Sequence, residues 1–283
     1  LKKKEKNSLH RHSIYEEKVL PEVRTGWDGD TELEIDLTPG NIYDSQLQMM
    51  FAVCHPSISG ESQVGLALRV LCGFGIQEIA DAFLTTKEVV NKRLTRAKER
   101  LRGVDIQIEM PPADQIDVRL EPVLTTIYLL FNEGYYSISQ DRALRKDVCL
   151  EAMRLCTMLV ENAATNKPQV NALLAMMCFH ASRFDARIDA SGDLVLYGEQ
   201  DTSLWNEDLI MNGAVFLKAA ASGSILSRYH LEAGIAYWHT QKEDIPDKWS
   251  NIVYFYDQLL KLNYTPVAAL NRLFALSKLK GKL

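Results

Sequence analysis

The features that would place this chain in a membrane or a secretory compartment are missing from its 283 residues. No run of about 18 apolar residues occurs, so no segment is predicted to span a membrane. The basic start, LKKKEKNSLHRH, is not followed by the apolar segment of a secretory signal. Cysteines are few: the chain has five, an odd number, all in apolar helical contexts. We therefore expect reduced thiols in a cytoplasmic protein rather than a disulfide framework.

Signatures of metal centres and phosphate-binding loops are also missing. The chain has no Cys-x-x-Cys motif and no Cys/His quartet, since Cys54-His55 and Cys178-x-His180 are isolated pairs. The GFG at 73–75 has no strand before it, which excludes a nucleotide-binding loop. We expect no metal and no cofactor. His180 and His239 sit on apolar helix faces, which is typical of hydrogen-bonded core histidines.

The sequence offers little for catalysis. Glu133 in FNEGY and Asp201 in EQDTSLW are acids beside aromatic residues, but no spacing pairs them and no nucleophile stands with a base. We predict that the chain is not an enzyme and that both acids cap or tie helix ends. The alternative for the second motif is an interaction loop of polar groups around one large aromatic ring, a composition typical of binding hot spots. Its candidate residues are Glu199, Gln200, Asp201, Ser203 and Trp205.

Positive charge is concentrated in one short stretch of an acidic chain. Residues 86–103 hold seven Lys or Arg and two Glu, a local net charge of +5. The whole chain carries −5, so the remainder carries −10. A basic stretch of this kind suits binding to a polyanion such as DNA, and the alternative is a solvated face on a helix hairpin.

The residues around this stretch predict two helices joined by a tight turn. Apolar residues at 76, 79, 80 and 83 form one face of a short helix. Thr85 and Glu88 are predicted to form a capping box for a second helix. Val90, Leu94, Ala97 and Leu101 share its buried stripe, with polar and basic residues opposite. This is the pattern of a DNA-binding helix-turn-helix.

Candidate DNA-binding residues lie along the second helix. Those in its first turns are expected to reach the groove, and the cations that flank them are expected to meet phosphates. The candidates are Thr86, Lys87, Glu88, Asn91, Lys92, Arg93, Arg96, Lys98 and Arg100.

The rest of the chain is predicted to be helical. Residues 21–41 resemble an acidic linker, and 103–117 lose helical periodicity at a Pro-Pro pair, which indicates a junction. Small residues beside large aromatics suit closely packed antiparallel helix pairs of the tetratricopeptide (TPR) kind. The best strand signal is DLVLYG at 193–198. Seven helices are predicted after the junction, at 120–135, 145–163, 168–187, 207–221, 227–240, 248–263 and 265–281.

Several motifs together resemble a known family. GFGIQEIADAFLTTKEVVNKRLTRAKERLRG, at 73–103, resembles region 4 of sigma-70-type RNA polymerase sigma factors of the extracytoplasmic-function class. The preceding stretch with FAVCHP is similar to the lead-in of a subgroup that carries a long helical C-terminal extension. That extension's landmarks occur in order, as IYLLFNEGY, RKDVCLEAMRLCTMLV, ALLAMMCFHASRFDAR, GDLVLYGEQDTSLW and PVAALNRLFAL.

The resemblance implies an all-α protein of three parts. Residues 1–41 would hold the end of region 2 and the linker, 42–108 region 4, and 109–283 a TPR-like extension. Region 4 would read the upstream (−35) element of promoter DNA and pack against the β-flap of the RNA polymerase core. The extension would regulate transcription or contact polymerase, with a regulatory protein as a further partner. We also expect that the acidic remainder masks the basic helix when polymerase is absent.

The chain departs from the family pattern at several positions. Glu199 and Thr202 replace an Asp and an Arg that the family's loop usually has, and Val89 to Lys92 differ in the recognition helix. Promoter preference is therefore not carried over. The chain lacks an initiator Met and most of region 2, so we expect a fragment that does not start transcription alone.

Two other functions fit the same sequence. One is an ordinary helix-turn-helix regulator with a helical sensor domain, which would bind its operator without polymerase. The other is a helical protein-interaction scaffold, which would show no salt-dependent affinity for DNA.

Overall fold

The structure, a computed structural model, describes residues 39–83, 85–104, 106, 108–135, 146–189, 191, 193–243 and 246–281. These residues form an all-helical protein with no strand. Within the same ranges, no helix combines the length and apolarity that a membrane span requires. The α-helices are α1 (Pro39–Val53), α2 (Gly60–Val70), α3 (Ile76–Ala82), α4 (Lys87–Gly103), α5 (Ala113–Tyr135), α6 (Lys146–Glu161), α7 (Pro168–Ala181), α8 (Glu207–Ala220), α9 (Arg228–His239), α10 (Pro246–Leu262) and α11 (Pro266–Leu279).

The chain divides into two compact units. Unit 1 is Leu1–Thr126 and unit 2 is Ile127–Leu283, so the division falls within α5. The boundary predicted between 108 and 109 lies before that helix. Of the linker predicted at 21–41, residues 21–38 lie outside the described residues, as does the segment at 1–20. Residues 39–41, the last three of the predicted linker, form the first turn of α1.

Unit 1 is built around α2, which packs against α1, α3 and α4. Its buried run includes Val64 and Leu68. A Cβ on Gly65 would lie 3.3 Å from Leu94 of α4 and 3.5 Å from the Phe83 ring, so the three helices approach closely there. Gly73 has a φ of 69°, in the left-handed region that glycine adopts without steric cost, where the chain turns from α2 to α3.

The cap of α4 differs by one residue from the prediction. Thr86, not Thr85, is the N-cap residue, and its side chain accepts a hydrogen bond from the Val89 backbone N–H at 3.4 Å. Thr85 instead lies in the turn, where its N–H donates to the Ala80 carbonyl at 2.9 Å. Adjacent threonines give the same local signal. Because Thr85 still belongs to the turn that follows α3, the N-cap position falls on Thr86.

Helix α5 begins earlier than predicted. The segment 103–117 was expected to lack helical structure, but α5 starts at Ala113, directly after the Pro-Pro pair. Proline fits before a helix, and the Pro112 carbonyl accepts a hydrogen bond from the Gln115 N–H at 2.8 Å. The side chain of Arg119 donates to the Phe51 carbonyl, which ties α5 to the end of α1 inside unit 1.

Unit 2 is organised around α7, which packs against α6, α8 and α9. Almost every side chain of α7 from Val170 to Phe179 is buried, and a helix that is apolar on all sides belongs in a core. The seven helices predicted after the junction are confirmed, with ends that shift by a few residues. The largest shifts are at 120, where α5 extends back to Ala113, and at 187, where α7 ends at Ala181.

Small residues allow the helices of unit 2 to approach closely. A Cβ on Gly213 of α8 would lie 2.6 Å from the Phe179 ring of α7. A Cβ on Gly234 of α9 would lie 2.7 Å from the Phe255 ring of α10. Pairing of small residues with aromatic rings, expected from the sequence, is therefore present at both helix contacts.

The weak strand signal at 193–198, too short to define a sheet alone, does not give a strand. Leu194 forms a single antiparallel bridge with Ile188, and the chain then turns into two short 3₁₀ helices, Tyr197–Glu199 and Thr202–Leu204. The five cysteines are free thiols. Cys72 is half-buried, and the other four are buried.

Candidate functional site

Helix α4 presents a polar and basic face to solvent. Val90, Leu94 and Ala97 are buried against unit 1, as predicted. The opposite side of the helix and its flanks are exposed. The exposed candidates for DNA binding are Thr86, Lys87, Glu88, Asn91, Lys92, Arg96, Lys98 and Arg100.

The start of this face is held by local hydrogen bonds. The pKa of Glu88 lies below its ordinary value because its carboxylate accepts from its own backbone N–H and, secondarily, from the Thr86 hydroxyl. An acid in the first turn also interacts favourably with the helix dipole. The first turn of α4 is therefore ordered by groups that lie on the exposed face itself.

Arg93 differs from the other candidates because it is engaged within unit 1. Its guanidinium is 2.7 Å from the Glu61 carboxylate of α2 and 5.8 Å from the centre of the Phe83 ring. Only 26% of its side chain is exposed. Arg93 links α4 to α2 and α3, whereas Lys92 and Arg96 point away from this contact.

The predicted interaction loop is only partly exposed. Asp201 caps the second 3₁₀ helix, because its carboxylate accepts from the Ser203 N–H at 2.9 Å and from its hydroxyl at 2.7 Å. These bonds lower the pKa of Asp201. Glu199, Asp201 and Ser203 are exposed and Gln200 is half-buried, whereas Trp205 is 5% exposed. The structure thus gives Asp201 the capping role and places the Trp205 ring in the core.

Trp205 belongs to a group of aromatic and cationic side chains under this loop, which we call the cation–aromatic cluster. The backbone anchors the loop at both ends, through Val195 N–H to the Arg187 carbonyl at 2.9 Å and Asn206 N–H to the Ser182 carbonyl at 2.8 Å. The cluster comprises Tyr135, His180, Arg183, Arg187, Tyr197, Trp205, His239 and Lys248.

Tyr197 is the centre of the cluster. The Arg183 guanidinium carbon lies 5.3 Å from its ring centre and 6.0 Å from that of Trp205. The Lys248 Nζ lies 5.3 Å from the same Tyr197 ring, and the His239 ring packs edge-on at 4.9 Å. The Tyr197 hydroxyl donates to the His239 carbonyl at 2.9 Å. Cations therefore contact the aromatic face of the loop from two helix ends.

Two histidines in the cluster depart from the prediction of hydrogen-bonded core residues. The Nδ1 atoms of His180 and His239 are buried and have no hydrogen-bond partner in the described part of the chain. Burial lowers the pKa of His180 well below its ordinary value, and Arg183, His239 and Arg187 lower it further. Burial lowers the pKa of His239 to about 3, with added repulsion from Arg183 and Lys248. Both imidazoles are therefore neutral at physiological pH.

The buried cations of this cluster are not predicted from the sequence. Arg183 is 6% exposed and Lys248 is 2% exposed, although such residues are seldom fully buried. The sequence does contain a signal for burial of Arg183. This residue follows shortly after the buried helix α7 and lies within CFHASRFDAR, a run with two aromatic residues. Among the described residues, no three His, Cys, Asp or Glu side chains come together as a metal site.

Comparisons with known proteins place most of the cluster, but not His239 and Lys248, within a matched region. Residues 119–221 match the model of a family of unknown function, DUF6596. The match runs from within α5 to the residue after α8, and therefore includes α7 and the loop that covers the cluster.

A longer protein is similar over most of this chain. An uncharacterized protein of Rhizobium meliloti (strain 1021) is 34% identical over 256 residues, which make up 90% of this chain and 60% of the relative. The chain thus spans about 60% of the length of the curated relative that it matches. No solved structure matches the chain.

Proposed function

We propose that this chain is part of a sigma factor of the extracytoplasmic-function class. Residues 42–108 would form its region 4 helix-turn-helix, with α3 and α4 as the two helices. Residues 109–283 would form a TPR-like extension that regulates transcription or contacts polymerase. The protein would act in the cytoplasm on promoter DNA, as a partner of the RNA polymerase core.

The observation that carries this proposal is the exposed face of α4. Lys92 and Arg96 lie opposite the buried stripe and Asn91 flanks them, all exposed on a helix whose other side is fixed in the core of unit 1. Asn and Arg are side chains that pair with base edges in the major groove. A helix held from behind with such a face outward meets the geometric need of DNA reading.

The flanking cations support a division of roles along α4. Lys98 and Arg100 are exposed further along the helix, where they suit contacts with phosphates. Arg93 is held by Glu61, so we assign it to positioning α4 rather than to binding DNA. The motif resemblance to region 4 adds the expectation that the target is a −35 promoter element.

Polymerase binding separates a sigma factor from an ordinary regulator. The experiment is a pull-down of this full chain by the immobilised β-flap of a bacterial RNA polymerase, for the wild type and for Arg96→Glu. We expect both to bind, because Arg96 faces DNA rather than the flap in this proposal. Lys218→Glu, which makes the same charge change at an exposed site on α8, is the matched control.

Two results would count against the proposal. Absence of flap binding by the wild type, together with salt-dependent binding to DNA, would favour the ordinary regulator. Absence of both would favour the protein-interaction scaffold.

A further inference from the structure

The cation–aromatic cluster contains buried donors that lack acceptors. The Nε atom of Arg183 and the Nε1 atom of Trp205 are buried without a hydrogen-bond partner in the described part of the chain. Both atoms can only donate. Burying a donor without an acceptor destabilises the folded protein. These two donors therefore lack an acceptor, and Gln200 Oε1 of the covering loop is a buried acceptor that also has no partner in the described part of the chain.

The charge of Arg183 is also uncompensated within the described part of the chain. Arg183 forms no ion pair with a carboxylate of the described residues, and its polar contact is a 3.5 Å approach to the Tyr135 hydroxyl. The charged groups that affect the pKa of His180 are Arg183, His239 and Arg187, none of them an acid. A buried charge of this kind is costly unless an opposite charge reaches it.

A half-buried arginine in unit 2, Arg228, has different surroundings. Arg228 stacks on the Tyr128 ring at 4.5 Å and donates to the Tyr229 hydroxyl at 3.0 Å. It also interacts with Glu232, an acid on its own helix. Arg228 thus has an acid of its own helix close to it, whereas no acid of the described residues forms an ion pair with Arg183; the Nε atoms of both arginines have no hydrogen-bond partner in the described part of the chain.

We propose that the cation–aromatic cluster is a binding site for a small oxyanion, the carboxylate or phosphate group of a small-molecule ligand. Its oxygen atoms would accept from Arg183 and from the Trp205 indole, with the imidazoles of His180 and His239 beside them. The loop from Val195 to Asn206 covers these atoms, so it has to open for the ligand to enter.

The loop is built in a way that permits such opening. It is anchored at its two ends by backbone hydrogen bonds to the end of α7 and the residues after it. Between these anchors, the Tyr197 hydroxyl holds it to the His239 carbonyl. Exposed Leu196 and Leu204, at 69% and 50%, show that much of the outer face of the loop is not packed. The site extends beyond the proposed function, since it does not depend on DNA binding by α4.

The experiment uses the indole N–H signal of Trp205 as the reporter. The full chain has four tryptophans, and Trp205→Phe identifies the signal of interest in a ¹H–¹⁵N spectrum. Potassium phosphate and potassium acetate are titrated separately at constant ionic strength, with potassium chloride as the reference. We expect a saturable shift with one of the two oxyanions, which also tells phosphate from carboxylate chemistry, and none with chloride.

Matched variants test whether Arg183 is the residue responsible. Arg183→Gln is expected to weaken binding at least tenfold, whereas Arg154→Gln, at an exposed arginine of the same unit, is expected to bind as the wild type does. A linear shift, no shift, or equal shifts in both variants would overturn the proposal.

A second measurement applies if Arg183→Gln does not fold. The melting temperature of the wild type is then compared in phosphate, acetate and chloride at one ionic strength. Stabilisation by either oxyanion that His239→Gln reduces supports the site. Equal melting temperatures in all three salts would contradict it.

Discussion

The two units both collect positive charge, but they do so in opposite environments. On α4 the cations are hydrated, so they cost little stability and their field remains available for attracting a polyanion. In unit 2, Arg183 and Lys248 are almost fully buried among aromatic rings. There each donor requires a specific partner. Lysine and arginine on the surface of unit 1 are therefore suited to attracting a polyanion, whereas those buried in unit 2 each require a defined contact partner.

The largest predicted loss of stability is expected for a substitution of Trp205, in the buried environment. Trp205→Ala should lower the free energy of unfolding of unit 2 by about 3–5 kcal/mol, because a large buried ring is lost and a cavity remains. Urea denaturation followed by circular dichroism measures this change. Leu204→Ala, at the exposed neighbour, should cost less than about 1 kcal/mol. Equal costs for the two variants would mean that the loop does not form part of the core.

Acid should weaken the buried cluster. The pKa of His239 is lowered to about 3 in the folded protein, so folding favours the neutral imidazole. The stability that the neutral His239 contributes is fully present above the unfolded pKa of about 6.5. It is lost as the pH falls below that value. At pH 5 we expect a loss of about 1–2 kcal/mol in the free energy of unfolding.

The comparison of His239→Gln with the wild type isolates this effect. Other groups in unit 2 titrate as well: the lowered pKa values of His180 and His230 add to the loss, whereas the raised pKa of Glu232 opposes it. Urea denaturation at pH 7.5 and pH 5 should show a smaller pH dependence for the variant. An unchanged pH dependence would argue against a buried neutral His239.

The smallest effect is expected at the start of α4. Thr86→Ala removes the acceptor for the Val89 N–H and should cost about 1 kcal/mol of the stability of unit 1. Thr85→Ala is the matched control and should cost less, since Thr85 bonds to Ala80 through its backbone. Thermal unfolding of the two variants compares them directly. A larger loss of stability for Thr85→Ala would indicate that Thr85 is the N-cap residue, as predicted from the sequence.

Much of the helical fold was predictable because helical periodicity is a local property. The buried stripe of α4 and the seven helices of the C-terminal part follow from apolar spacing alone. The choice between Thr85 and Thr86 was not predictable, since it depends on how α3 ends. The segment 193–198 has strand propensity, but with no neighbouring strand it forms one bridge and a 3₁₀ helix.

The two candidate sites also differ in how far the sequence could predict them. The face of α4 is continuous in sequence, so its residues could be named from helical spacing. The cation–aromatic cluster joins the ends of α5, α7 and α9, the start of α10 and one loop, and only packing brings these together. Arg183 and Lys248 therefore looked like ordinary surface cations.

The most direct test of the α4 interface is the salt dependence of DNA binding. Fluorescence anisotropy of a labelled mixed-sequence duplex measures Kd over a range of KCl concentrations for the wild type, Lys98→Glu and Lys218→Glu. We predict that Lys98→Glu, which removes an exposed phosphate contact on α4, weakens binding at low salt and reduces the slope of log Kd against log salt by about one, while Lys218→Glu changes neither. Equal behaviour of the two variants would contradict the assignment of α4 as a DNA-binding surface.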